Sequence, residues 1–172
     1  AGVQAPERMA LLLQHLLLSV WAPAGVPHDS YLLTPHHSQH WSPLPPALAQ
    51  NCLQAVLHYW HIGQHQPLPF FARTSLAAAD AWQHAQAKAL AKASPDDASA
   101  NALAFSAARE AALKAAQTAW FGQRDFGGGG QKDYADIALV FGQAPTVPMA
   151  SDVFWDIIER VCLPILSHCH AE

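Results

Sequence analysis

Charge is scarce in this sequence. Asp, Glu, Lys and Arg make up 13% of its 172 residues, hydrophobic residues make up 51%, and the formal net charge is −4 with histidine neutral. Globular domains carry roughly a quarter charged residues. The polar surface therefore rests on Gln, His, Ser and Ala, or a partner covers part of it; partial covering is the expectation. A free-standing duplex binder shows a basic excess that neutralises phosphates. Without that excess, most of the positive field near nucleic acid has to come from other subunits or domains. Cysteine is scarce too. Cys52, Cys162 and Cys169 are odd in number and lack CxxC spacing, which argues against a disulfide framework and for a reducing, cytoplasmic setting. No apolar run is long enough to span a bilayer, so no membrane is expected. The chain opens on Ala1 rather than Met, which reads as a processed protein or an excised piece.

What is present is one hydrophobic-rich domain, residues 1–172, large enough to fold around its own core. The leucine-rich run after Met9 imitates a secretory signal, but helical spacing describes it better. Arg8, His15 and Ser19 share a narrow stripe, with Leu12, Leu13, Leu16, Leu17 and Val20 around the rest, so a helix over 6–21 wet on one edge is expected. "SYLLT" and "HWSPL" read as a short hairpin or two edge strands, kept short by Pro35, Pro43, Pro45 and Pro46. A second helix follows Pro45–Pro46 and stops at Gly63, with Leu48, Cys52, Ala55, Val56, Tyr59 and Ile62 on its apolar side. A third begins near Thr74 or Ser75 as cap. A fourth is capped by Ser94, with Pro95, Asp96 and Asp97 in its first turn, and ends at Gly122. "DYADIALVF" is a short helix ended by Gly142. A last helix starts at Ser151, with Pro164 set to kink or break it.

The stretch "RDFGGGGQKDYAD", Arg124 to Asp136, suggests a phosphate loop at first sight. A P-loop needs Lys followed by Ser or Thr, between a strand and a helix. Here Asp133 follows Lys132 and the run follows a helix, which excludes it. Trp120, Phe121, Phe126 and Tyr134 bracket the run and argue against a linker. A shaped, glycine-dependent loop is expected, with Phe126 and Tyr134 at least partly buried and positive φ at some of its glycines.

Eleven histidines raise zinc chemistry. His36, His37 and His40 fall in the hairpin, and His58, His61 and His65 on one helix face. A hydrolytic zinc site also wants a carboxylate base, as in HExxH, and none accompanies these. Solvated imidazoles are the simpler reading, and "HCH" at the end reads as a frayed terminus. GxSxG is absent. A two-metal nuclease centre needs an acid and then Glu/Asp-x-Lys on adjacent strands, whereas the hairpin offers Asp29 and no lysine. No catalytic residue and no metal ligand is assigned. A His-rich metal-dependent hydrolase and a stand-alone helical adaptor remain alternative functions.

In order along the chain, "LLLQHLLLSVW", "SYLL", "LQAVLHYWHIGQHQPLPFFARTS", "AAQTAWFG", "FGGGGQKDYADIALVFG" and "FWDIIERVCLPILSH" resemble the C-terminal region of the gamma chain of exodeoxyribonuclease V, the RecC-type subunit of the RecBCD helicase–nuclease. The most specific parts are the segment Pro67, Leu68, Pro69, Phe70, Phe71 and the segment Phe126, Gly127, Gly128 through Tyr134. The resemblance implies an excised C-terminal fragment of a divergent PD-(D/E)xK nuclease-like domain that has lost its catalytic residues, with an α+β, mainly helical fold and a few short strands. It implies a role in subunit assembly and DNA strand guidance during double-strand break repair and recombination. The implied partners are the alpha and beta chains, upstream domains of the same chain, and DNA in the context of the complex. No cofactor is expected in the fragment itself; ATP and Mg belong to other subunits of the parent complex. Arg73, Arg124 and Lys132 flank the family-like loops and are the candidate DNA or partner contacts.

Overall fold

The computed structural model describes residues 5–21, 23–34, 38–92, 99–123, 128–142 and 147–171. The expected caps Ser94, Pro95, Asp96 and Asp97, the loop residues Arg124, Phe126 and Gly127, and Pro35, His36 and His37 lie outside them. The chain is mainly helical with short strands. It forms two compact units, residues 1–68 with 159–172 and residues 69–158.

In unit one, α1 (Ala5–Trp21) precedes a hairpin of β1 (Ser30–Leu33) and β2 (Ser38–Trp41). The strands pair antiparallel, with Ser30 opposite Trp41 and Leu33 opposite Ser38. Helix α2 (Pro46–Gly63) starts on proline, whose fixed φ and missing N–H suit the first turn. It buries Ala49, Cys52, Ala55 and Tyr59 at helical spacing. Two sequence expectations need correction here. "HCH" is no frayed end: Cys169–Ala171 forms β5, a third strand on β2, with Trp41 opposite Cys169 and Gln39 opposite Ala171. The backbone of this tail thereby finds sheet partners. In α1, His15 and Ser19 face inward at 0% and 6% exposure, while Leu17 keeps 52% of its surface. At His15 and Ser19 the polar stripe is the dry side, because atoms of the hairpin and of the segment after it satisfy their hydrogen bonds.

In unit two, α3 (Ala72–Leu90) and α4 (Ala100–Phe121) pack against each other. Ala104, Ala108, Ala112 and Ala116 recur every fourth residue on α4 and are buried, as are Ala78 and Ala79 on α3. Small side chains there let helix backbones approach closely. Helix α3 starts earlier than its Thr–Ser pair suggests. Phe71 precedes the first turn in an extended conformation, and its N–H donates to Ser75 Oγ at 3.3 Å. After α4, Gly122 turns the chain with φ +78°. Residues Gly122–Gln123 (β3) pair with Gly128–Gly129 (β4). A tight turn over Gln131–Asp133 then leads into α5 (Ala135–Phe141), which ends at Gly142 with φ +82°.

The last helical stretch begins with α6 (Asp152–Ile157) and resumes as α7 (Leu163–Leu166). Between them Ile158–Cys162 runs as a wider turn of π type. Pro164 has no N–H to give and its ring crowds the preceding turn. The chain meets that defect with a local π segment, a common answer to an interrupted ladder. Among the described residues no helix is long and apolar enough to cross a membrane.

Candidate functional site

In unit one the polar atoms gather where α1 meets the hairpin. Ser42 O can only accept, so His15 Nε2 carries the proton it donates there at 3.1 Å. Nδ1 is then free to accept from Ser30 Oγ–H at 2.9 Å. The imidazole is thereby held as one neutral tautomer. Ser42 is a junction: its N–H donates to His168 O at 3.1 Å while its own carbonyl serves His15. One turn along α1, Ser19 Oγ accepts from Leu44 N–H at 3.4 Å. Burial pushes the His15 pKa below its ordinary value. The hydrogen bond to Ser42 opposes that shift, the charges of His168 and His40 add to it, and Asp29 counters it. At the mouth of the hairpin Asp29 Oδ1 accepts from His40 Nε2 at 2.7 Å, and the His40 ring stacks on Tyr31 with centroids 4.6 Å apart. The one acid in the hairpin therefore has a histidine partner.

In unit two the two segments singled out in the sequence come together. Phe71 is 7% exposed, and its ring lies 4.7 Å from Trp120 and 5.3 Å from Phe141, centre to centre. Arg73 Nη1 donates to Gly129 O at 3.1 Å and to the Tyr134 hydroxyl at 3.4 Å. Gln131 Oε1 accepts from both Thr74 N–H and Thr74 Oγ1–H at 2.8 Å. The start of α3 is therefore sewn to the glycine loop by one buried amide and one guanidinium. Glycine is needed at Gly130 for a reason other than positive φ. A Cβ there would stand 2.1 Å from Trp120 O and 2.5 Å from the Phe121 carbonyl carbon. Among the described residues of the run, Gly128 to Gly130, none has positive φ; that conformation falls on Gly122, just ahead of it. Gly130 N–H donates to Asp133 Oδ2 at 3.1 Å, and Lys132 Nζ donates to Asp133 Oδ1 at 2.6 Å. The bond from Lys132 holds the Asp133 carboxyl below its ordinary range.

The remaining residues named from sequence are placed as follows. Pro67 is exposed, and Leu68, Pro69 and Phe70 are half-buried. Gly128 sits in β4 opposite Gln123. Tyr134 keeps 45% of its surface exposed, more open than a packed anchor. Arg124, Phe126 and Gly127 lie outside the described residues. His15, Ser19 and Gln131 were not named as site residues. Their only sequence signal is a polar side chain inside an apolar or glycine-rich stretch. Arg109 was missed as well; its guanidinium stacks 3.9 Å above the Trp155 ring, whose Nε1–H donates to Met149 O at 2.9 Å. Large apolar side chains stand open on both units: Trp21 at 88%, Leu33 at 76% and Trp60 at 63% on unit one, Leu139 at 87% and Leu103 at 66% on unit two. Among the described residues no group of three or more His, Cys, Asp or Glu is placed to hold a metal ion.

Residues 1–83 match the family model of the RecC C-terminal domain. The match runs from the chain start through α1, the hairpin and α2 into α3, and includes Phe71 and Arg73. No curated protein matches the chain.

Proposed function

With residues 1–83 carrying a RecC C-terminal domain, we propose that the chain is the C-terminal module of a RecC-type subunit of exodeoxyribonuclease V and works by protein contact rather than by catalysis. Its partners are the alpha and beta chains and the other domains of its own subunit. Its contribution to DNA is strand guidance within the assembled helicase–nuclease during break repair. The module derives from a PD-(D/E)xK nuclease-like domain whose chemistry is gone. The single acid of the hairpin, Asp29, has no lysine near it in sequence and is engaged with His40.

The observation that carries the preference for protein contact is the pairing of scarce cations with open apolar side chains. Arg73 is spent on Gly129 and Tyr134, and Lys132 on Asp133. Meanwhile Trp21, Trp60 and Leu139 keep more than half their surface. Exposed large apolar groups mark association surfaces more readily than nucleic-acid surfaces. Reconstitution tests it: the full subunit is compared with one lacking this region. Loss of assembly with the two motor chains, and with it of unwinding, is expected. Assembly and unwinding at the parent level would overturn the assignment. The isolated chain, at net charge −4, is expected to bind DNA weakly and only at low salt.

A further inference from the structure

His61 and His65 lie four residues apart at the C-terminal end of α2, both exposed, with ring centroids 5.3 Å apart and ring planes at 77°. We propose that this pair is a two-histidine binding site for a borderline divalent transition metal such as Zn²⁺, Ni²⁺ or Cu²⁺. The site is independent of the function proposed above.

The ring separation supports it. A zinc–imidazole bond is about 2.1 Å, and the ligating nitrogen stands roughly 1.1 Å from its ring centre. Two imidazoles on one tetrahedral ion are then about 5 Å apart, centre to centre. The pair stands near that spacing, so ligation requires the rings to turn their nitrogens toward one point without changing their separation. Residues four apart on a helical face are neighbours one turn apart. His65 lies two residues past the helix end, in a tighter turn in which its N–H donates to Ile62 O at 3.0 Å.

The position favours a cation as well. The last carbonyls of a helix carry a partial negative charge, and positive charge is stabilised there. Imidazole suits zinc, copper and nickel, whereas calcium and magnesium prefer oxygen. His58, three residues before His61, has its ring beside Tyr59 with centroids 5.3 Å apart and serves as the control for the pair. Two protein ligands leave the other positions of the ion to water or to an added donor, so this is an open binding site. Both imidazoles must be neutral to ligate, so binding weakens on acidification.

The test uses the untagged 172-residue chain, stripped of metal and titrated with Ni²⁺ by calorimetry. One saturable site is expected in the parent and in His58→Gln. It should weaken roughly tenfold or more in His61→Gln and again in His65→Gln, since each removes one of two ligands. The same ion should raise the unfolding temperature of the parent and of His58→Gln, but not of the other two. All three residues are exposed, so circular dichroism should show every variant folded. Unchanged affinity in both His61→Gln and His65→Gln would overturn the site. So would the absence of saturable binding below about 1 mM.

Discussion

In each unit a buried polar side chain joins a helix to a neighbouring segment, and the two differ in chemistry. Unit one uses His15, which carries α1 onto Ser30 and Ser42. Unit two uses Gln131, which carries the glycine loop onto Thr74. In both places a buried polar group would be costly if left unpaired, and the hydrogen bonds of the His15 ring and of Gln131 Oε1 offset that cost. An amide keeps its hydrogen-bonding character at any ordinary pH. An imidazole does not. Two clamps of similar geometry therefore give one unit an acid-sensitive joint and the other an acid-indifferent one.

The comparison breaks most visibly at the aromatic platform under the loop of unit two. Phe71 touches both Trp120 and Phe141. Phe71→Ala removes a buried ring and should cost about 3–5 kcal/mol, read as a lowered urea midpoint. Amide exchange around Thr74 and Gln131 should speed up, while exchange in α1 is left alone. A loss below about 1 kcal/mol would mean that the ring lies on the loop without supporting it. Gln131→Leu sharpens the comparison by removing the clamp and sparing the platform. Leucine has similar bulk but cannot accept, so the Thr74 N–H and hydroxyl are left dry. The expected cost is about 2 kcal/mol. Gln131→Glu should recover part of it, because a carboxylate oxygen can still accept from Thr74.

Much of this architecture can be read from the sequence where turn chemistry and periodicity agree. Pro45–Pro46, Gly122 and Gly142 mark element ends, and the hairpin declares itself through "SYLL" and "HW". The misreadings have physical causes. Helical periodicity says that Arg8, His15 and Ser19 share a face, but not which face is inside. In a helix apolar nearly all round, that choice was made by Ser30, Ser42 and Leu44, which are distant in sequence. Strand β5 has three residues and no apolar alternation, so its pairing with β2 leaves no local mark. Thr74 and Ser75 look like helix caps, but the start of α3 is set by Phe71 and the glycine loop. The need for glycine at Gly130 is visible in the run. Its cause, contact with the end of α4, is a tertiary fact. Gln131 carries only the weak signal of a polar side chain beside a glycine run, and its partner Thr74 is distant in sequence.

The smallest effect is the one that separates the two clamps by chemistry. Burial lowers the His15 pKa below its unfolded value of about 6.5. Between those two values the unfolded chain binds a proton that the folded chain refuses. Stability from this group is therefore complete above about pH 6.5 and is lost as the pH falls toward the folded value. The slope cannot exceed about 1.4 kcal/mol per pH unit. The charges of His168 and His40 disfavour a proton on His15, while Asp29 favours it. The chain has eleven histidines, so the informative quantity is a difference between variants. Urea midpoints at pH 7.5 and pH 5 should fall further for the parent than for His15→Gln, which keeps hydrogen-bonding atoms but does not titrate. Amide exchange on acidification, corrected for its intrinsic pH dependence, should open α1 and the hairpin before the loop at Gln131. Equal pH slopes in parent and His15→Gln would show that the joint in unit one is as indifferent to acid as its counterpart in unit two.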